Sequence, residues 1–471
     1  MAEKIVEFSQ ETLVSQTGQT IKAKRFLQYV ASFAASIGAV ASGMTASWTS
    51  QAGTNGINIA TIYNISITPE EYSWIGSLAA LGSAVVCVPI GTLADIIGRK
   101  YSMLILVIPF TIGWLCIIFA KSVTFFYVGR FLTGFSGGAF SVTGPMYTSE
   151  IGEREIHGKL GTFYHFFFIV GILIVGVLNL IDINMYQLSI ISGFIPIIFG
   201  ITFSFMPESP VYYLLKGNED AAKKTYIKLR GAQYNIEQEL NMQKKIIEDT
   251  NKNKVSFLTL LKSKACKKAI LISYGLMGFQ QLSGVNAVGF YIGFIFEASG
   301  GFIAPKVAII IICVILISMV FISLLTVDHL GRKILLLISS IITSLSTLSL
   351  GIYFYLLETT NTNSLSWLPL FSVCSFIISF SLGYGPLPWL MISEIFTPET
   401  KGVAGSSACL LHWMMAFIVT KTFFNLNDII HTYGTFWLFS LISAFGIVFV
   451  LFFVPETKGK TLEQIQRELS T

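Results

Sequence analysis

Within residues 278–293, GFQQLSGVNAVGFYIG, two adjacent glutamines and an asparagine interrupt a stretch otherwise apolar enough to cross a membrane. The side-chain amides of Gln280, Gln281 and Asn286 each offer donors and an acceptor, and hydrocarbon supplies partners for neither. Leaving one unpaired costs about 1–3 kcal/mol on protein-derived scales. A neighbouring helix, water in a cavity, or a polar substrate can compensate. An amide sets a donor beside an acceptor at the spacing of vicinal hydroxyls, so carbohydrate binding is the chemistry these residues suit. Interhelical hydrogen bonding is the alternative. Trp389, in Gly385-Pro386-Leu387-Pro388-Trp389, adds a flat apolar face for sugar C–H groups and an N–H donor. The two prolines break their helix and expose carbonyls, which is tolerable only beside protein or a wet cavity. Tyr291, about three helical turns from Gln280, is expected on the same face. Phe290 and Trp413 are expected to complete the cage or to gate it.

The elements that must hold these groups are membrane helices. The chain has 471 residues, 53% hydrophobic and only 12% charged, with mean hydropathy +0.69. A soluble domain carries about a quarter charged residues. Apolar runs long enough to cross about 30 Å of hydrocarbon lie near 26–46, 73–96, 101–120, 124–148, 159–180 and 186–206. After a polar segment they resume near 267–297, 305–327, 334–356, 367–392, 402–424 and 434–454. The expectation is an all-α membrane protein of twelve spans in two six-helix bundles, at 26–206 and 267–455. An N-terminal segment (1–25), a helical linker (207–266) and a tail (456–471) lie outside the bilayer. In the linker, Ile227 and Leu229 are expected to pack beneath the bundle at the edge of an apolar stripe.

All but four of the 31 lysines and arginines fall in the termini, the linker and the loops on one side; the exceptions are Lys121, Arg130, Lys306 and Lys421. The bias puts both termini in the cytoplasm. It also explains the net charge of +5 as topology, which excludes a nucleic-acid partner. The lipid bilayer is the expected surrounding, and a monomer the expected functional unit. Asn64-Ile65-Ser66 is a glycosylation sequon in the longest outside loop. The six cysteines show neither metal-ligand nor disulfide spacing and read as small core residues. No cofactor or metal is expected, and no hydrolase, protease or P-loop signature appears.

Asp95-Ile-Ile-Gly-Arg99-Lys100 recurs as Asp328-His-Leu-Gly-Arg332-Lys333, Ser149-Glu150-Ile as Ser393-Glu394-Ile, and Pro-Glu208-Ser as Pro-Glu456-Thr, in the same order. Ordered recurrence marks a duplicated six-span unit, as in secondary transporters. The charges at the helix ends, together with Arg130 toward the outer end of the fourth span, are expected to form gating ion pairs that bridge the halves when the outside is open. Anchoring at the membrane edge is the alternative.

Taken with GRFLTGFSGG, PESPVYYLLKG, QQLSGVNAV, GYGPLPWLMISEIF, VTKTF and PETKGKTLEQI, these motifs resemble the sugar porter branch of the major facilitator superfamily, and within it the insect-type facilitated trehalose and glucose transporters. The resemblance spans about 25–465. It implies sugar contact by Gln280, Gln281 and Asn286, and gating roles for the Gly-Arg-basic loops, Glu150, Glu208, Glu394 and Glu456. Departures occur. His165 and His412 stand where similar proteins carry a sugar-binding amide, Leu316 stands for an asparagine, and His157 and Lys401 replace arginines. Proton-coupled members place an aspartate in the first span within reach of the arginine matching Arg130; residues 26–46 contain no acid. The expectation is therefore facilitated, uniport sugar transport at the plasma membrane. The alternatives are a proton-coupled symporter, with a histidine carrying the proton, or a sugar receptor that does not transport.

Overall fold

The computed structural model describes residues 23–53, 56–252, 263–298, 304–360 and 365–470, and within them the protein is helical throughout. The first six spans are Phe26–Ser47, Pro69–Ile97, Arg99–Ile118, Val123–Ile151, Arg154–Leu180 and Met185–Ser204. Nine stretches among the described residues are long and apolar enough to cross a bilayer by length and hydropathy, and one of them, Gly402–Phe453, holds two spans. The helix Pro398–Phe453 is broken at His431, whose φ of 62° is non-helical, and this one residue separates spans eleven and twelve. The glycine-rich fourth span and the fragmented seventh complete the twelve.

The seventh span is three pieces, Lys264–Leu282, Val285–Phe290 and Ile292–Ala298. Gly284 makes the first break, at φ 89°. A Cβ there would come within 2.6 Å of the Phe439 ring, so glycine is required for space as well as conformation. The tenth span divides into Leu368–Leu382 and Leu387–Ile395 around Gly383–Pro386. Spans eight and nine, Pro305–Leu330 and Arg332–Thr360, run between them.

Within the first half, backbones approach closely. A Cβ at Gly134 would fall 2.0 Å from the Ala79 carbonyl oxygen, and one at Gly138 would fall 2.5 Å from Ser83 Cα. Such contact lets Ser83 Oγ donate to Gly134 O at 2.8 Å across the helix pair. Small residues replace the hydrophobic drive that lipid does not supply.

The linker forms helices Pro210–Leu215, Glu219–Arg230 and Ile236–Lys252. They are fastened beneath the first half by buried polar groups. Gln28, at the start of the first span, donates to Leu229 O and accepts from Glu153 N–H, while Arg230 donates to Ile151 O at 2.6 Å. Leu229 is buried as expected, but Ile227 is 37% exposed. The buried face of this helix runs through Ala222, Thr225, Tyr226 and Leu229, and Ile227, two positions from Leu229, turns about 200° away from it. The final helix, Leu462–Ser470, buries Ile465 and Leu469 against the second half and donates from Gln466 to Ile395 O.

Gly134→Ala is expected to force spans two and four apart and to cost about 1–3 kcal/mol as overpacking. A fall in the thermal midpoint of detergent-purified protein measures this, and an unchanged midpoint would refute the contact.

Candidate functional site

The prolines of the tenth span dictate the site. In a continuous helix the Tyr384 carbonyl would accept from the N–H of residue 388, and Pro388 has none. Gln280 supplies the missing donor, its Nε2 bonding Tyr384 O and, at 3.1 Å, Gly385 O. The break is braced from behind: Ser339 Oγ accepts from Tyr384 N–H at 3.1 Å, and Ser340 Oγ donates to the Tyr384 hydroxyl.

From Gln280 a chain of polar groups runs between spans seven and eleven. Gln280 Oε1 lies 3.0 Å from His412 Nδ1. Gln281 Nε2 lies 2.9 Å from His412 Nδ1 and 3.1 Å from its Nε2, and Asn286 donates to Gln281 Oε1. A glutamine oxygen can only accept and a glutamine NH2 can only donate, so the imidazole is shared between Gln280 Oε1 and the Gln281 NH2, with both ring nitrogens in reach of Gln281. Trp389 and Trp413 flank the same imidazole, with ring centroids at 5.0 and 5.2 Å. Gln280 and Gln281 are each 2% exposed, whereas the Trp389 indole is 40% exposed beside them.

Six expected residues therefore come together: Gln280, Gln281, Asn286, His412, Trp389 and Trp413. Tyr291 does not join them. The break at Gly284 rotates the chain, so helical spacing from Gln280 no longer predicts its face. Tyr291 instead lies fully buried among aromatic rings at the end of the bundle far from the termini. It stacks on Phe423 at 5.3 Å, packs on Tyr72 and Phe424, and donates to Thr420 O at 3.2 Å. Lys421 crosses to the second span there, 2.9 Å from Ser73 Oγ and 4.8 Å from the Trp74 ring centre. Lys306 pairs with Asp182 in the same region. These contacts join the two halves and close the far end. His165 is exposed on the fifth span, outside the hydrogen bonds and ring contacts of the cluster. The side chains of Phe290, Asp328, His157 and Lys401 lie outside the described residues.

At the end bearing the termini, the repeated motifs build the same arrangement twice. Arg99 donates to both oxygens of Glu150 at 2.9 Å and to Asp95 at 2.8 Å. Arg332 donates to Glu394 at 3.0 and 3.2 Å. Ser209 and Thr457 donate hydroxyl bonds to the same glutamates. Each of these pairs joins residues of one half, so in this conformation the charges stitch each bundle to itself. Glu208 accepts from the backbone N–H of Lys100 and Ser209, and Glu456 from those of Arg332, Lys333 and Lys458. Both carboxylates cap a helix N-terminus, where the exposed N–H groups favour an anion. The motif glycine makes this possible. Gly98 and Gly331 adopt φ of 101° and 90°, and a Cβ would meet the capping carboxylate at 2.3 and 2.8 Å. The following lysines, 100 and 333, donate to Ser204 O and Leu451 O at the ends of spans six and twelve.

The two caps differ in charge cost. Burial raises the Glu208 carboxyl above its ordinary value despite its N–H partners. Burial also pushes on Glu456, but the N–H groups of Lys458, Arg332, Lys333 and Thr457 outweigh it and hold that carboxyl low. A lowered folded-state value means stability that is present above the unfolded carboxylate range and lost as acid protonates the native cap.

Arg130, expected among the gating ion pairs, bonds instead to neutral oxygens of its own half. It is fully buried in the first half and donates to Ile75 O, Thr45 O and Thr49 Oγ1 at 2.8–3.0 Å, with its guanidinium 5.4 Å from the Trp48 ring centre. All three acceptors are neutral. Sequence reading did not anticipate the partners of Gln28 and Lys421; a glutamine at the mouth of the first span and a lysine within VTKTF were the available signals.

Glu456→Gln sets an NH2 against backbone donors and is expected to cost about 1–3 kcal/mol near neutral pH. The gap from wild type should narrow as pH falls through the carboxylate range; thermal midpoints across pH 7 to 4 check the sign.

Residues 26–469 match the family model described as sugar (and other) transporter. The chain is 37% identical over 468 residues to the facilitated trehalose transporter Tret1 of Bombyx mori, covering 99% of this chain and 91% of that protein. It is 38% identical to the Culex quinquefasciatus protein of the same name, covering 94% and 86%. Among solved structures it resembles the inward-open xylose transporter XylE from E. coli, with TM-score 0.78 at 22% identity, over 94% of this chain and 99% of that one. The proton:xylose symporter XylE bound to 6-bromo-6-deoxy-D-glucose also aligns, with TM-score 0.74 at 23% identity, over 94% and 99%. These likenesses to solved structures speak to fold. The chain belongs to the sugar porter family of the major facilitator superfamily: it is a multi-pass membrane sugar transporter, not an enzyme.

Proposed function

We propose that this protein carries out facilitated, uniport transport of a sugar, trehalose or a hexose, by alternating access in the plasma membrane. The observation that carries the uniport reading is the surroundings of Arg130. A proton-driven cycle of this kind needs a carboxylate that changes protonation within the membrane. Among the described residues Arg130 bonds only carbonyl and hydroxyl oxygens, and the first span contributes no acid. The relatives named as facilitated trehalose transporters support trehalose as the first substrate to test.

In this reading, sugar hydroxyls replace the bonds that Asn286, Gln281 and His412 make with one another, and Trp389 covers the C–H face. Gln280 keeps one bond to the broken tenth span while its oxygen exchanges. His165, Phe290 and Trp413 are proposed to line the path. Closure of the far end by Tyr72, Tyr291, Phe424 and Lys421 corresponds to the state facing the termini. The motif charges of Asp95, Arg99, Glu150, Asp328, Arg332 and Glu394 re-pair across the halves in the opposite state, the Glu208 and Glu456 caps keeping the loops in place. The 26–206 and 267–455 bundles move as units on the 207–266 linker, with both termini cytoplasmic, Asn64 glycosylated outside, and the monomer as functional unit.

Uptake of radiolabelled trehalose, glucose, fructose and a polyol into transporter-null cells tests this. At least one sugar should equilibrate at a rate that ionophore leaves unchanged. Gln281→Ala and Asn286→Ala should each lower kcat/KM about tenfold or more, the loss of roughly one buried hydrogen bond to substrate. Accumulation that collapses with the proton gradient would instead establish symport.

A further inference from the structure

Two cysteines that the transport reading leaves unused stand against each other across the two halves. Cys87 of the second span and Cys409 of the eleventh are both free, 2% and 6% exposed, with their sulfurs 3.1 Å apart. The Cys87 thiol donates to Ser83 O at 3.0 Å, so its proton is directed along its own helix. Its sulfur also faces the Cys409 thiol across the two halves. Ser83 is itself held by bonds to Ala79 O and Gly134 O, which fixes the turn that carries Cys87. Cys409 lies one turn from His412 on the same helix face, so the pair sits at the level of the amide cluster.

We propose that Cys87 and Cys409 are an oxidation site that ties the two halves together and arrests transport. The oxidant is a peroxide, small, uncharged and close to water in size. One thiol, as thiolate, attacks a peroxide oxygen and becomes a sulfenic acid, releasing water. The second thiol then attacks that sulfur, forming the S–S bond and expelling a second water. Two thiols and one hydrogen peroxide thus yield one disulfide and two waters. The approach of the sulfurs removes the usual obstacle, since distant cysteines need backbone movement to bridge. Burial slows the reaction, so linkage requires sustained exposure to peroxide.

The consequence for transport follows from position. The second and eleventh spans already meet at the far end through Ser73–Lys421 and Trp74–Phe417. A covalent tie at the level of the cluster adds a second fixed point, and two helices joined at two levels cannot tilt past each other. That consequence rests on the alternating-access reading; bond formation does not.

The test uses the full-length protein in proteoliposomes, treated with hydrogen peroxide and then blocked with an alkylating reagent. Peptide mapping should find the Cys87 peptide linked to the Cys409 peptide. Initial sugar uptake should fall in proportion to the linked fraction and return with dithiothreitol. Cys87→Ser and Cys409→Ser should each transport untreated at the wild-type rate and lose the peroxide response. Absence of the linked peptide, with both cysteines recovered alkylated, would overturn the site. A linked peptide with undiminished uptake would overturn the lock, and peroxide inhibition that persists in both serine variants would assign the effect elsewhere.

Discussion

A side-chain amide at bilayer depth must find partners for every donor and acceptor, and the chain places three such amides within seven residues of one span. That demand organises the centre of the protein. The tenth span gives up a helical N–H at Pro388, and the orphaned Tyr384 carbonyl takes its donor from Gln280. The other amides and His412 satisfy one another in turn. An empty site built this way is stable without ligand, yet its bonds are of the kind that sugar hydroxyls can exchange at little net cost. The interhelical pairing seen here and the proposed sugar binding, opposed as readings of the sequence, would draw on the same atoms.

Around that centre the fold separates rigidity from movement. Rigidity lies within each half: Arg130 on neutral oxygens, glycines that bring backbones into contact, and carboxylate caps that hold the Gly98 and Gly331 turns. The halves meet along the second and eleventh spans and along the fifth and eighth, with aromatic rings and Lys421 at the far end and Cys87–Cys409 and Phe166–Phe321 nearer the termini. The linker belongs to the first half through Gln28 and Arg230, and the final helix belongs to the second through Gln466. Each half thus carries its own brace, as rocking bodies require.

Much of this was legible in the chain because the signals are chemical and local. The amides, the prolines before Trp389 and the twice-written Asp-x-x-Gly-Arg-Lys state their needs in their residue types. Other features depended on backbone events that helical periodicity does not register. The Gly284 break carries Tyr291 from the expected site face to the far-end aromatic cluster. Long-range partners were the hardest to read. Nothing local links Glu208 to the N-terminus of a helix 108 residues earlier, or Cys87 to a thiol 322 positions away. Proximity of that kind exists only once two bundles have packed.

The exchange of amide partners is tested most directly by a cryo-EM structure of the purified protein with trehalose or the hexose it transports. The account predicts density between Trp389 and the amides, with the Asn286–Gln281 and Gln281–His412 bonds replaced by contacts to sugar hydroxyls. A bound sugar elsewhere, with that chain of bonds intact, would contradict it.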